Sequence, residues 1–218
     1  VGTAGAFEAI AAAERGCKVM IVEQFGGLGG TATYGLVTPV MHTHIPSDPQ
    51  CSYIVPKLNA LMVRLGVADP ATGRYFDPMG LKIALERMCM DAGVEMLFHT
   101  FITDVIKEGD TVKGIVVSNK SGTYVVEGKV FIDCTGDGDI FASAGCAYEK
   151  EYSGDDRSYN VSVVFRLGNV DSEEFRNWKY DPNSHYRDKL AEYKKLFGYR
   201  ISPFFTPMKD IMWVNNFW

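Results

Sequence analysis

At 218 residues, with 46% hydrophobic and 22% charged side chains, the chain is long enough for one to two domains around a large buried core, and its composition excludes disorder and fibrous repeats. A net charge of -5 with no Lys/Arg cluster argues against a phosphate-backbone partner, and no run approaches the ~18 apolar residues of a membrane-spanning helix. Five cysteines (Cys17, Cys51, Cys89, Cys134 and Cys146) form no CxxC pair and no disulfide framework, which points to a reducing, cytoplasmic setting.

The chain opens on Val1-Gly2-Thr3-Ala4-Gly5 and runs into an Ala-rich segment, Ala6 to Arg15, that predicts a helix able to approach a sheet closely, with Gly16 as its stop. Lys18 to Glu23, KVMIVE, predicts a strand buried on both faces and ending on an acid. Phe25 to Thr31, FGGLGGT, and the stretch from Thr38 to Gln50 read as loops. Tyr53 to Leu65 has helical spacing. A second helix over Phe76 to Ala92 follows Asp77-Pro78, which suits an N-cap with proline at the first helical position. From Val94 to Asp133 the period becomes two, predicting a meander of VEMLFHT, FITDVIK, TVKGIVVSN and TYVVEGKVFID separated by EGD and KSG turns. The last of these strands ends in Cys134-Thr135-Gly136-Asp137-Gly138-Asp139 and a short helix, Ile140 to Gly145. Beyond Tyr148 the texture turns polar and aromatic, with SVVFRLG as a strand and Ser172 to Phe197 as mixed helix and loop. The expected division is therefore a nucleotide-binding domain over 1–150, with an insertion around 45–75, and part of a second domain over 151–218.

Gly2-x-x-Gly5 is the second half of a G-x-G-x-x-G pattern, and the context carries more weight than the glycines. In a dinucleotide fold the second glycine lets the backbone approach the pyrophosphate, the third permits close helix-strand packing, and the helix N-terminus offers free N–H groups. Glu23 ends the next strand 21 positions after Gly2, where an acid accepts from both ribose hydroxyls and repels a 2′-phosphate. The four glycines of FGGLGGT clear a path for backbone against a flat or charged ligand; flexibility at a domain edge is the plainer alternative. DCTGDGD places glycines at a strand's C-terminal end, where open α/β sheets bind ligands, although its acids also suit capping the next helix.

These residues carry a resemblance. VGTAG, IVEQFGGLGGTATYGLV, the meander, VFIDCTGDGDIFASAG and SVVFRLGNVD together resemble the FAD-dependent oxidoreductase family with the glutathione-reductase-type dinucleotide fold, over nearly the whole chain. The resemblance implies a Rossmann-like α/β domain with a parallel sheet and a β-meander, plus part of an α+β substrate or cap domain. The first strand and first glycine of the family pattern would precede Val1, and a C-terminal segment would follow Trp218, so a fragment of a longer protein is expected. Carried over by position, Gly2, Gly5 and Glu23 would hold the ADP half of FAD, with Gln24 beside them. Gly29, Gly30 and Thr31 would lie along the pyrophosphate, Ile102 would touch adenine through its backbone, and Thr135, Gly136 and Asp137 would lie near the ADP moiety.

For the chemistry, His42 and His44 are candidate acid-base groups after the glycine loop, and Arg166 is a candidate for binding a substrate carboxylate; each has a structural alternative as loop packing or an ion pair. No metal is expected, because the two histidines lack a third ligand. Cys134 has no partner for a disulfide cycle, and Phe204, Phe205, Trp213, Phe217 and Trp218 read as second-domain core rather than pocket wall. The expected activity is hydride transfer between a small organic substrate and non-covalently bound FAD, with an unidentified electron partner and homo-oligomerisation left open. An NAD-dependent dehydrogenase and a non-catalytic dinucleotide-binding module are the alternatives. Glu23→Ala is expected to weaken FAD retention while sparing the fold.

Overall fold

The computed structural model describes residues 1–38, 53–71, 73, 75–149 and 162–217. His42 and His44 lie outside these residues, as do Cys51 and Trp218.

Helix α1 (Thr3–Ala13) begins three residues earlier than its Ala-rich core suggested and ends before Gly16, whose φ of +85° is the left-handed stop. It buries only small groups and one isoleucine, Gly5, Ala6, Ala9 and Ile10, so it lies close against its neighbours. Strand β1 (Met20–Val22) pairs in parallel with β2 (Glu95–Leu97), with Ile21 opposite Met96. Between them run α2 (Ile54–Arg64) and α3 (Pro78–Asp91). As the Asp77-Pro78 pair predicts, the Asp77 carboxylate caps α3 by accepting from the Met79 N–H at 3.2 Å. Ile10, Leu28, Leu58, Met62, Phe76, Leu81 and Leu85 are almost wholly buried and join α1, the glycine loop, α2 and α3 in one core.

Three sequence expectations need correction here. KVMIVE is not buried on both faces, since Met20 is 44% exposed on this two-stranded edge. The meander has three strands, not four: β3 (Phe101–Glu108), β4 (Thr111–Asn119) and β5 (Gly122–Glu127) pair antiparallel, whereas VEMLFHT supplies β2 in the other sheet. His99, at φ +51°, and the buried Thr100 form the corner between them, so one period-2 stretch serves two sheets. Finally, Lys129 to Asp133 has no strand partner among the described residues, because a strand needs a neighbour to supply its ladder hydrogen bonds. Val130 and Ile132 are 79% and 61% exposed along it.

Helix α4 (Asp139–Ser143) follows. A third sheet, in the order β6-β8-β7, is built from β6 (Ser162–Gly168), β7 (Arg200–Phe205) and β8 (Ile211–Phe217), with α5 (Ser172–Tyr180) and α6 (Tyr186–Phe197) between the first two strands. SVVFRLG is the predicted strand. The strands β7 and β8 were not legible; Pro203 breaks the strand signal of RISPFF, yet it is tolerated because β7 is an edge strand. Trp213, on central β8, is 1% exposed and belongs to the core of this sheet, as expected. Phe205 packs edge-on against Phe175 of α5, with ring centroids 5.8 Å apart.

Candidate cofactor site

The start of α1 and the glycine loop form one wall. Gly2 makes a parallel bridge with Gly29, the Thr3 hydroxyl donates to the Gly29 carbonyl at 2.9 Å, and the Thr33 hydroxyl donates to the Leu28 carbonyl at 2.9 Å. Leu28 is completely buried and pins the loop to the core. The loop is therefore a built element, not a flexible domain edge. Its glycines allow close packing: a Cβ on Gly30 would stand 2.8 Å from the Gly2 Cα, and one on Gly29 would stand 2.5 Å from the Thr33 side chain.

The two glycines at the start of α1 have different roles. A Cβ on Gly5 would collide with Val1 at 2.6 Å and with the Cys134 Cβ at 2.9 Å, so Gly5 lets the helix meet the end of the 129–133 segment. Around Gly2 nothing lies within 4 Å of where a Cβ would stand, and no side chain caps the helix that begins there. The exposed end of α1 thus offers N–H groups and positive dipole to an anion, and the missing side chain of Gly2 leaves room for it.

Glu23 stands at the end of β1, 2% exposed. One carboxylate oxygen accepts from the Phe25 N–H at 2.8 Å, and the other accepts from the Val1 backbone nitrogen. Thr100 locks this corner to the meander: its N–H donates to the Glu23 carbonyl at 3.0 Å, and its hydroxyl accepts from the Asn119 side chain at 3.1 Å. Gln24 and Thr31 are exposed beside these groups. Ile102 sits half-buried on β3 opposite Val117, packed on the small core of Ile115, Val117 and Ile140.

The DCTGDGD turn closes the same end of the molecule, since the Gly2 N–H donates to the Cys134 carbonyl at 3.3 Å. Asp133, unremarked in the sequence as an individual residue, organises it. Its carboxylate accepts from the Thr135 N–H and hydroxyl at 3.0 and 2.8 Å and from the Ile140 and Phe141 N–H groups at 3.0 Å each. The Thr135 hydroxyl in turn accepts from the Gly138 and Asp139 N–H groups. The capping alternative therefore holds for Asp133, and the Thr135 side chain is committed to the turn. Gly136, at φ +90°, and Asp137 remain exposed at its tip. The signal that would have singled it out is an acid six residues ahead of the α4 start, across a turn rich in glycine.

Burial alone would raise the Asp133 carboxyl, but hydrogen bonds from Thr135, Phe141 and Ile140 outweigh it and hold the group below the usual carboxylate range. The folded state consequently binds this proton more weakly than the unfolded chain. The stabilisation is present above the unfolded value near ~3.9 and disappears as the pH falls through the lower folded one. Asp133→Asn should lower stability by about 1–2 kcal/mol at neutral pH and narrow its gap to the parent protein in acid, as read from denaturation midpoints between neutral pH and acid. An undiminished gap in acid would show that the charge on Asp133 plays no part. Cys134 does not act as a reactive thiol here: burial, with a hydrogen bond donated to Glu8 at 3.0 Å, pushes it up to about 12.

Gly2, Glu23, Gly29, Gly30 and the Cys134–Thr135 turn thus converge, while Gly5 serves packing. Arg166 stands apart, exposed on β6, its guanidinium 5.9 Å from the centre of the Trp213 ring. His99 was missed in the sequence. Its N–H donates to the Phe25 carbonyl at 3.2 Å, and its ring fills the space above Gly26, where a Cβ would meet it at 2.7 Å.

A sequence model of the family described as FAD dependent oxidoreductase matches residues 1–209. The chain belongs to that family. FAD is accordingly its cofactor, and the open space at Gly2, the uncapped start of α1 and the buried carboxylate of Glu23 suit a dinucleotide. Solved structures share the fold. A flavin-dependent brominase, Bmp2, as a triple mutant, is 16% identical over 99% of this chain and 54% of its own, with a TM-score of 0.61. L-proline dehydrogenase from P. horikoshii is 11% identical over 98% of this chain and 67% of its own, with a TM-score of 0.55. CabE, an aromatic hydroxylase from angucycline biosynthesis, is 14% identical over 98% of this chain and 41% of its own, with a TM-score of 0.54. The chain thus spans between 41% and 67% of the length of these three structures. No curated protein matches it. Among the described residues, no helix is long and apolar enough to cross a membrane.

Proposed function

We propose that this chain is the FAD-binding portion, with part of the substrate domain, of a flavin-dependent oxidoreductase that moves a hydride between a small organic substrate and the flavin. The observation that carries the reading is the junction of α1 with the glycine loop, where Gly2 is open to space, Gly29 and Gly30 press against it, and Glu23 lies buried beside the Val1 backbone. FAD supplies the hydride acceptor or donor at N5 of its ring. The chain's own share is binding and orientation. The α1 N-terminus and Gly2 would face the pyrophosphate, Glu23 the ribose hydroxyls, and the exposed tip at Gly136 and Asp137 the rest of the ADP half. Gly29, Gly30 and Thr31 would continue along the pyrophosphate toward the ring, and Ile102 would meet adenine through its backbone. We divide the chain at about residue 150 into the FAD-binding domain and the partial substrate domain, and place the protein in the cytoplasm with an electron partner of its own.

His42 and His44 are the proposed acid-base pair, each close enough in sequence to the glycine loop to exchange a proton with substrate. Replacing either with alanine should reduce turnover by about 100-fold while the bound flavin keeps its absorption spectrum. Full turnover in both variants would return them to loop residues. The reading as a whole is tested by the visible spectrum of the purified protein and by identification of the chromophore released in acid. FAD supports it; a colourless protein that refuses added FAD and binds NAD overturns it.

A further inference from the structure

The third sheet carries polar groups that its own packing leaves unused. Strand register sets Arg166, Trp213 and Phe204 in one cross-strand row and Val164, Asn215 and Ser202 in the next, all on one face. The opposite face, with Phe205, is covered by α5. The first face turns toward the cofactor domain, because Phe204 meets Tyr75 with ring centroids 6.2 Å apart. On it the Trp213 indole nitrogen and the Asn215 side-chain oxygen are both buried without a hydrogen-bond partner. Asn216 has a similar unpartnered oxygen but belongs to the other face. Trp213 is 1% exposed, so its donor has exchanged water for nothing within the protein. Arg166 is held against the Trp213 ring and joins none of the ion pairs among the described residues.

We propose that this face binds a small organic acid, its carboxylate taken by the Arg166 guanidinium and the Trp213 N–H, and a hydroxyl or amino donor on the same molecule given to the Asn215 oxygen. The chemistry follows from the unused groups. Arg166 and Trp213 only donate, and a guanidinium fork suits a carboxylate. Asn215 lacks a donor, and it lies two residues from Trp213, roughly 7 Å along the strand, which one small molecule spans. The half-buried Phe204 gives its apolar body a surface. That this acid is the substrate rests on the flavoenzyme reading; that the face binds it does not.

The test is calorimetric titration of the FAD-loaded, full-length protein with 4-aminobenzoate, benzoate and benzamide as probes. 4-Aminobenzoate should bind, benzoate about fivefold more weakly, and benzamide at least about tenfold more weakly. Arg166→Met should cost at least about tenfold and Trp213→Phe, which keeps the ring and removes only the donor, about fivefold. Asn215→Leu should abolish the preference for 4-aminobenzoate over benzoate. Trp213→Phe also separates binding from folding, because deleting an unpaired buried donor should leave the melting temperature unchanged or raised. No binding of 4-aminobenzoate to protein that carries FAD, or equal binding by Arg166→Met and Trp213→Phe, overturns this proposal and leaves the flavoenzyme reading standing. Protein that holds no FAD yet binds the acid through Arg166 supports the site while overturning that reading.

Discussion

Gly30→Ala is expected to destabilise the protein by about 3 kcal/mol, whereas Gly2→Ala, which bridges the neighbouring Gly29, should leave stability within about 0.5 kcal/mol and still weaken the hold on FAD. The contrast rests on what each new methyl group meets. At Gly30 the backbone is left-handed, at φ +49°, and the added carbon would stand 2.8 Å from the Gly2 Cα, which is backbone and cannot rotate away. Left-handed strain alone costs roughly 1–2 kcal/mol, and overpacking adds a similar amount. At Gly2 the backbone is extended and the space is empty. That space is where the pyrophosphate is proposed to approach, so the same methyl group should weaken FAD retention by at least about tenfold. Denaturant midpoints of the two variants, with FAD content measured by absorption after gel filtration, check both halves. If Gly2→Ala keeps its flavin, the approach of the cofactor to α1 is misplaced.

Glu23 is the second position with a large effect, and here the structure changes what the sequence led one to expect. An acid at the end of a strand reads as a pure ligand contact, so Glu23→Ala would spare the fold. The side chain is in fact almost fully buried, with one oxygen on the Phe25 N–H and the other beside the Val1 backbone nitrogen. Removing it leaves the Phe25 N–H without its partner, a loss of about 2 kcal/mol. Glu23→Ala should therefore lower stability and FAD retention together. Glu23→Gln separates the two, because its amide oxygen still accepts from Phe25 while the charge is gone. It should fold with a smaller loss than the alanine variant and hold FAD about tenfold more weakly. Equal FAD affinity in Glu23→Gln and the parent protein would remove the ribose assignment and leave Glu23 a structural residue.

Much of the cofactor end was legible because its signals are local. A helix after a glycine pair, an acid closing the next strand, an Asp-Pro helix start and a glycine-marked turn each depend on a few neighbouring residues, and α1, β1, α3 and the DCTGDGD turn appear close to where those signals put them. The second sheet-former region was less legible for the opposite reason. Alternation of apolar and polar residues in VEMLFHT and FITDVIK says that both are strands but not which sheet each joins; the corner at His99 and Thr100 sends them to different partners. VFID has the same alternation and no partner among the described residues, since pairing is a property of two segments and not of one.

Residue roles divide along the same line. The residue types of the site, glycines beside a helix start and a carboxylate at a strand end, were determined by the sequence alone, because backbone freedom and ionisation belong to the residue. Which glycine faces open space and which touches Cys134, whether Glu23 is solvated or buried, and that Arg166 lies against Trp213 rather than beside an acid, were decided only by the tertiary structure. Those facts depend on what the rest of the chain brings within a few ångströms, and a side chain's energetic role is set by that neighbourhood.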